Sequence, residues 1–447
     1  MNSGYPKVLI FGQPFNNYSG GGITLTNLFK GWPKDKIAVA YMGHGLYNVT
    51  TDVCDTYYQL GKEEHKWSFP LNLFQKSFPS GLKSIIIETK PGSNRKKIGI
   101  RDKFINRYFY PALKWLGIFH QASKIIISES LRNWLSEFKP EVLYVQIGSR
   151  ETLLFSIQLI DLLKIPSVNH VMDDWPSALN NKGLLGDFWY KKIDAELRRF
   201  NDKIDLHFSI SEAMSEEYFK RYNKEFIPFH NPVESEIWLP HVKRDYILNK
   251  ENITILYSGR IGIGITESLM DVASAIDTIR DETIKIKLHI QTFTIDPVII
   301  INLRKFNCVA INSFTPYEQL PKIFSEADIL LLANDFSEKG LAFLKFSMPT
   351  KVSEYMISGT PVLLYAPKET AISKFFTSND CGCCVNDRCN TEIIKALRLL
   401  INDEDYRKRI SHNAVSLAVE KFDIKKVREK FQQFLTEISK KINVQTD

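Results

Sequence analysis

No stretch of this sequence is apolar for the length that a bilayer crossing needs. The apolar runs, such as Ile329 to Ala333, are strand-length and far short of the ~20 residues of a spanning helix. The opening segment, Met1 to Phe11, has one short apolar run followed by Gly, Pro and Asn. It lacks the basic stretch and small-residue cleavage site of a secretory signal, so a cytoplasmic setting is expected. Cysteine is sparse and badly spaced for cross-linking. Of six residues, Cys381, Cys383, Cys384 and Cys389 are bunched together, which is no framework of spaced pairs, and reduced thiols are the simplest state. The same four lack the C-x2-C pairing of zinc sites and read as the edge of a strand. Charge of one sign is not in large excess either. A net +7 over 447 residues fits anionic substrates or an anionic membrane surface, and equally fits an ordinary basic protein. No recognisable nucleic-acid module is present, so no nucleic-acid partner is expected.

What is there is a globular composition, 44% hydrophobic and 24% charged, with aromatics at 12%. The length exceeds one ordinary core and implies two domains of about 200 residues each. Short β-branched runs alternate with helical patterns from end to end, which reads as α/β with parallel sheets. In the first half, strands are expected at Lys7 to Phe11, Val142 to Ile147, Val168 to Met172 and Leu206 to Ile210. In the second they are expected at Ile253 to Ser258, Lys285 to Gln291, Cys308 to Asn312, Ile329 to Leu332 and Val362 to Tyr365. The break falls in the polar, Pro-containing stretch between Asn231-Pro232 and Asn252. The expected organisation is an N-terminal domain over 1–240, a second over 241–425 and a C-terminal helix over 426–447 that crosses back to the first.

One segment departs from this rhythm. Between Lys83 and Phe119, Lys90, Arg95, Lys96, Lys97, Arg101, Lys103, Arg107 and Lys114 are interleaved with Phe104, Tyr108, Phe109, Tyr110, Trp115 and Phe119. Such a segment suits an anionic bilayer surface, aromatics at the interface and cations on headgroups. The alternative is a solvated helix whose aromatics fill the core.

Two Gly-rich turns follow the first strand of each half. Gly20-Gly21-Gly22 precedes an amphipathic segment, so its N–H groups, those of Gly21 and Gly22 included, can approach a phosphate or sugar with no Cβ in the way. Its spacing is not the dinucleotide fingerprint. Ser258-Gly259-Arg260 places a guanidinium at the C-terminal end of a strand, where ligands of open α/β sheets bind and where Arg can grip a diphosphate in bidentate fashion. Either turn alone also fits an ordinary structural role.

The most informative run is Ser347 to Val362. Pro349-Thr350-Lys351 reads as a helix start with free backbone donors and a positive dipole end. Lys351 adds a point charge, and Glu354 follows one turn later on the same face. Gly359 ends the helix. Phosphates would face Thr350 and Lys351, while Glu354 would accept from ribose or sugar hydroxyls. The plain alternative is an i,i+3 surface ion pair worth a few tenths of a kcal/mol.

This run, PTKVSEYMISGTPVLLY, together with SGR after the first strand of the second half, resembles the retaining glycosyltransferases of the GT-B fold, family 4-like. The resemblance implies two Rossmann-like domains facing across a cleft. It also implies a nucleotide-sugar donor whose diphosphate is held by Arg260 and Lys351, with Glu354 on the ribose. Phe314-Thr315-Pro316-Tyr317 resembles the segment whose backbone meets the nucleobase. Val168 to Trp175 resembles the family's His-containing strand, which would turn His170 toward the sugar; the alternative is a satisfied core histidine. Asp173-Asp174 has a DxD-like look, but the family generally works without a metal or other cofactor, and helix N-capping is the plainer reading. Two departures stand out. Phe346 occupies the position, eight residues before Glu354, where many members carry a first Glu, and no Lys follows the Gly-Arg turn.

The function this implies is sugar transfer with retention from a nucleotide-diphosphate sugar to a hydroxyl of a carbohydrate or lipid-linked acceptor. The expected setting is bacterial surface polysaccharide assembly by a cytoplasmic enzyme peripheral to the membrane. A GT-B epimerase, an inverting transferase, or a non-catalytic nucleotide-sugar- or lipid-binding protein are the alternatives.

Overall fold

The computed structural model describes the chain apart from residues 1–3, 43–48, 70, 75–77, 84–104, 178, 180–183, 280–282, 294–295, 314 and 441–447. The chain divides into two compact units. Residues 1–210, 215–229 and 428–447 make the first, and 211–214 with 230–427 make the second.

The first unit is built on an eight-stranded sheet. Its strands are β1 (Val8–Phe11), β2 (Ile37–Met42), β3 (Tyr57–Leu60), β5 (Gly81–Lys83), β7 (Val142–Val145), β8 (Ser167–Val171), β9 (Leu206–Ser209) and β10 (Ile227–Pro228). They lie in the order β10-β9-β8-β7-β1-β2-β3-β5. All neighbours are parallel except β3 and β5. Strands β4 (His65–Trp67) and β6 (Ser123–Ile125) pair separately and antiparallel. Every residue of β1, β7 and β8 is buried, as expected where helices cover both faces of a parallel sheet. The helix Gly20–Phe29 follows β1, capped by the Ser19 hydroxyl, which accepts from Gly22 N. The three glycines are thus its first turn rather than a loop before it.

The last helix, Ile424–Lys440, joins this unit from Arg428 onward. Phe431 sits among Phe29, Phe229, Phe208 and Tyr144 at ring separations of 5.0 to 6.0 Å. Arg428 Nε donates to the Asn27 carbonyl at 2.7 Å. This aromatic packing is what draws the end of the chain back to the first unit.

The second unit carries a six-stranded, fully parallel sheet. Its strands are β11 (Ile253–Ser258), β12 (Ile286–Gln291), β13 (Val309–Asn312), β14 (Ile329–Ala333), β15 (Val362–Tyr365) and β16 (Cys383–Val385). The order is β13-β12-β11-β14-β15-β16. The chain runs outward one way from β11 and the other way from β14, so the topological switch point lies between them, where open sheets bind ligands at the carboxyl ends. Cys383 and Cys384 lie on the edge strand β16. Both units are doubly wound, Rossmann-like α/β layers.

Candidate functional site

The carboxyl end of β11 delivers Ser258, and the chain then turns sharply through Gly259 at φ +145°. A Cβ at Gly259 would lie 3.2 Å from Lys351 Nζ, so glycine serves both the backbone conformation and the close approach. The helix Lys351–Ile357 starts beside this turn and ends at Gly359, φ +72°. Tyr355 fixes it to the strand: its hydroxyl oxygen accepts from Ser258 N at 2.8 Å. Lys351 Nζ donates to the Ser258 carbonyl at 3.1 Å and lies 3.7 Å from the centre of the Tyr257 ring. The Tyr257 hydroxyl in turn donates to the Arg260 carbonyl, which holds the turn while the Arg260 side chain stays exposed.

This geometry gathers cationic groups at one spot. Burial pulls the Lys351 ammonium down to about 7; the Glu354 carboxylate opposes that shift and the Arg260 charge adds to it. Burial pushes Glu354 up to about 7, with Lys351 opposing. Lys351 turns onto Ser258 and Tyr257 instead of pairing with Glu354, so a surface ion pair does not describe it. A half-buried lysine, a helix start with no side-chain cap and an exposed guanidinium put positive potential at this spot, the chemistry that suits an anion.

Around this centre lie the other expected residues. Thr350 precedes the helix, and its carbonyl accepts from the buried Asn231 Nδ2 at 3.1 Å. Pro316 begins the short turn Tyr317–Gln319. The Tyr317 phenol is raised chiefly by burial and next by the Glu354 carboxylate, which places the two within electrostatic reach. Phe314 lies outside the described residues. Near Thr315 a cavity of about 450 Å3 is lined by Leu256, His289, Gln291, Asn312 and Ser313 among others. Phe346 is buried at 6% exposure, its carbonyl accepting from the Ser211 hydroxyl at 2.7 Å; it fills core space.

Three residues at strand ends belong to no motif and give no signal in the sequence. Asn334, just after β14, is buried with no hydrogen-bond partner for Nδ2, and Gln291, at the end of β12, is buried with none for Oε1. Asp335 accepts from Ser268 N at 2.9 Å while burial raises its pKa. Only their place at carboxyl ends of neighbouring strands singles them out, and that needs the strand order.

The first unit treats its expected residues differently. His170 is 1% exposed and packs against Tyr144 and Phe208, its Nδ1 hydrogen-bonded to the Tyr144 hydroxyl. Burial drives its pKa down to about 3. In the structure this ring lies in the core of the first sheet. The reason is alternation: His170 shares its face of the sheet with Tyr144 and Phe208, against Phe431. Gly22 is also structural. Its N–H is taken by Ser19, and a Cβ there would strike the Asn16 side chain at 2.2 Å. Gly21 is less confined, a Cβ meeting Gln13 Oε1 at 3.4 Å. Asp174 is buried, in bidentate contact with Arg221 at 2.9 and 3.0 Å and accepting from Tyr218. Among the described residues, no cluster of three His, Cys, Asp or Glu stands ready for a metal ion.

Residues 275–433 match the family model described as glycosyl transferase-like, so the second unit carries a glycosyl transferase-like domain. A sequence search of curated proteins returns no match. Solved structures match over nearly the full length. The Anabaena HepE protein in complex with UDP and glucose aligns with a TM-score of 0.59 at 10% identity, over 97% of this chain and 100% of that one. Sucrose-phosphate synthase from Thermosynechococcus elongatus gives 0.60 at 10%, over 96% and 98%. WaaG, a glycosyltransferase involved in lipopolysaccharide biosynthesis, gives 0.56 at 12%, over 96% and 99%. The fold of this chain is therefore GT-B.

Proposed function

We propose that this protein is a glycosyltransferase that moves a sugar from a nucleoside-diphosphate sugar to an acceptor hydroxyl with retention of anomeric configuration. The observation that carries the proposal is the meeting of Lys351, the start of its helix and the Gly259-Arg260 turn at the switch point of the second sheet. The glycosyl transferase-like match over 275–433 supports it. In this reading the diphosphate lies against Gly259, Arg260, Thr350 and Lys351. The ribose meets Glu354, and the base lies toward Pro316 and the cavity beside Thr315.

In the reaction the bond between the anomeric carbon and the diphosphate oxygen breaks, and its electron pair stays on the phosphate. The acceptor oxygen bonds the same face of that carbon, and its proton passes to the departing diphosphate. Arg260, protonated Lys351 and the helix N–H groups stabilise the charge that develops; fixed charges and dipoles of this kind usually do most to lower such a barrier. With those three cationic elements in place, no metal or other cofactor is required. The resemblance further supports an acceptor hydroxyl on a surface glycan or its lipid-linked precursor, handled at a membrane surface.

The test is titration calorimetry with UDP, followed by transfer assays with a panel of UDP-sugars and product analysis by NMR. UDP is the first probe because it is the ligand of the HepE complex. Binding lost in Lys351→Ala, and a product with the donor's anomeric configuration, is the expected result. An inverted product would overturn retention, and no binding of any nucleoside diphosphate would overturn the function.

A further inference from the structure

The first unit exposes a cluster of apolar side chains that its fold does not use. Trp115 is 56% exposed, Leu184 67% and Phe188 52%, and Leu116, Ile118 and Leu185 are exposed beside them. Two segments distant in sequence are pinned together to make it. Leu184 N donates to the Trp115 carbonyl at 3.0 Å, and the buried Trp189 indole N–H donates to the Gly117 carbonyl. A Cβ at Gly117 would lie 2.6 Å from Leu185 Cβ, so the two turns are in van der Waals contact.

Cations flank the cluster. Lys192 Nζ lies 5.7 Å from the Phe188 ring and 5.6 Å from that of Trp189. Lys191 is exposed next to it, and Arg107 lies over the exposed Tyr108 ring. In the sequence that leads into this region, Lys90, Arg95, Lys96, Lys97, Arg101 and Lys103 outnumber Glu88 and Asp102. That part of the basic-aromatic segment, with Phe104, lies outside the described residues.

We propose that the Trp115–Ile118 and Leu184–Phe188 turns form a docking face for an anionic lipid bilayer. The proposal deepens the membrane-surface part of the function above but does not depend on the donor chemistry. Aromatic and leucine tips enter the headgroup boundary, and lysines keep their charge on lipid phosphates. Lysine flanking argues against a protein partner, because protein interfaces are depleted in lysine. The neighbouring cavity of about 320 Å3 on the Tyr190 side does not supply the anion contacts, since its guanidiniums, Arg198 and Arg221, are already paired with Asp194 and Asp174. No helix among the described residues is long and apolar enough to cross a membrane, so attachment at this face is interfacial.

The experiment is co-sedimentation of the full chain with phosphatidylcholine vesicles, with and without phosphatidylglycerol, over a salt series. UDP binding is measured on the same samples. Pelleting that needs phosphatidylglycerol and weakens with salt is expected. The double variant Leu184→Ser/Phe188→Ser should lower vesicle partitioning about tenfold or more with its melting temperature and UDP binding unchanged. Lys191→Glu/Lys192→Glu should weaken pelleting most at low salt and flatten its dependence on salt. Wild-type protein that binds UDP but no vesicles, or a double variant that pellets like wild type, overturns the docking face. So does a wild-type dimer, seen by light scattering, that the double variant dissolves, because the face then joins two copies of the chain. Vesicle binding without UDP binding upholds the face and counts against the donor reading alone.

Discussion

Lys351 donates to the carbonyl of Ser258 across 3.1 Å, which brings its ammonium from the helix start to the end of the central strand. A carbonyl oxygen and an aromatic face are weak partners for a buried ammonium. The arrangement leaves the charge undersatisfied, as a site for an anion requires. Lys351→Met, which keeps the stem and removes the charge, should therefore lower kcat/KM by about 100- to 1,000-fold, the scale seen when one transition-state donor is removed. Its melting temperature should be equal or higher, because a desolvated charge has gone. A large loss of stability with intact turnover would place Lys351 outside the site.

The same contact sets a pH dependence. Burial holds Lys351 at about 7 in the unliganded protein, below its ordinary 10.5. An anionic diphosphate favours the charged form, so binding takes up a proton wherever free Lys351 is neutral. Donor affinity should fall as pH rises above about 7, approaching a tenfold loss per pH unit. Calorimetry in buffers of different ionisation enthalpy should show uptake near one proton at about pH 8. For folding alone the sign follows from the protons bound. Between about 7 and 10.5 the unfolded chain holds a proton that the fold excludes, so this group adds stability as pH rises through that window. Affinity flat from about pH 6 to about pH 9 would contradict the account.

His170 makes the opposite prediction. Its ring is packed among Tyr144, Phe208 and the aromatic cluster on Phe431, so its loss should act on stability first. His170→Ala should cost about 2–4 kcal/mol of stability, the range for truncating a large core side chain. The remaining folded protein should keep donor affinity within about threefold, since independent sites add to within about 0.5 kcal/mol. Burial holds the pKa at about 3 against 6.5 unfolded. Its contribution to stability is therefore full above 6.5 and is lost as pH falls toward 3. Loss of turnover with unchanged melting would restore a role at the sugar.

These two residues also show what is legible in the sequence and what is not. Lys351 is legible because Pro349, Thr350 and Gly359 mark a helix start and stop, and those signals act locally. In the second unit, β11 and β15 fall at their expected residues, Ile253–Ser258 and Val362–Tyr365, because continuous apolar runs between turn residues mark buried parallel strands. His170 is ambiguous because a period of two gives a strand two faces, and only tertiary packing says which one meets the last helix. Strands β2 and β3, Ile37–Met42 and Tyr57–Leu60, are buried as well but escape notice because Ala38 and Ala40 weaken the strand signal of the first and Gln59 interrupts the second. Gly22 looks like a phosphate contact, yet Asn16, six residues earlier, closes over it, which no helical or strand period reveals. Asn334 and Gln291 are ordinary amides until the strand order brings the ends of β14 and β12 to either side of β11.

The buried ion pair in the first unit gives a stability test. Asp174 is 3% exposed and grips Arg221 with both oxygens. Asp174→Ala strips the guanidinium of that bidentate partner and leaves Glu217 as its nearby carboxylate. It should cost about 3–5 kcal/mol, the scale for breaking a buried pair. Asp174→Asn keeps the shape and one acceptor and should cost less. If the pair were instead a metal site, EDTA would mimic Asp174→Ala; melting insensitive to EDTA and lowered by the substitution is the expected outcome.

Gly259 supplies the sharpest test of the donor site. At φ +145° any side chain is strained, by about 1–3 kcal/mol, and a Cβ would press within 3.2 Å of Lys351 Nζ. The Lys351 side chain is flexible at its far end, so the cheapest relief in Gly259→Ala is for the ammonium to move off the turn. That movement breaks the convergence with Arg260 while leaving the sheet and helix in place. Donor affinity should therefore fall by about tenfold or more, as a loss of about 1.4 kcal/mol implies, with a decrease in melting temperature of only a few degrees. Gly359→Ala is the control. Its Cβ would meet Val242 Cγ2 at 2.7 Å at φ +72°, away from the cations, so it should destabilise the fold and spare the affinity of what remains folded. Equal effects of the two substitutions on affinity would mean that the Gly259 turn acts through stability and not through the diphosphate.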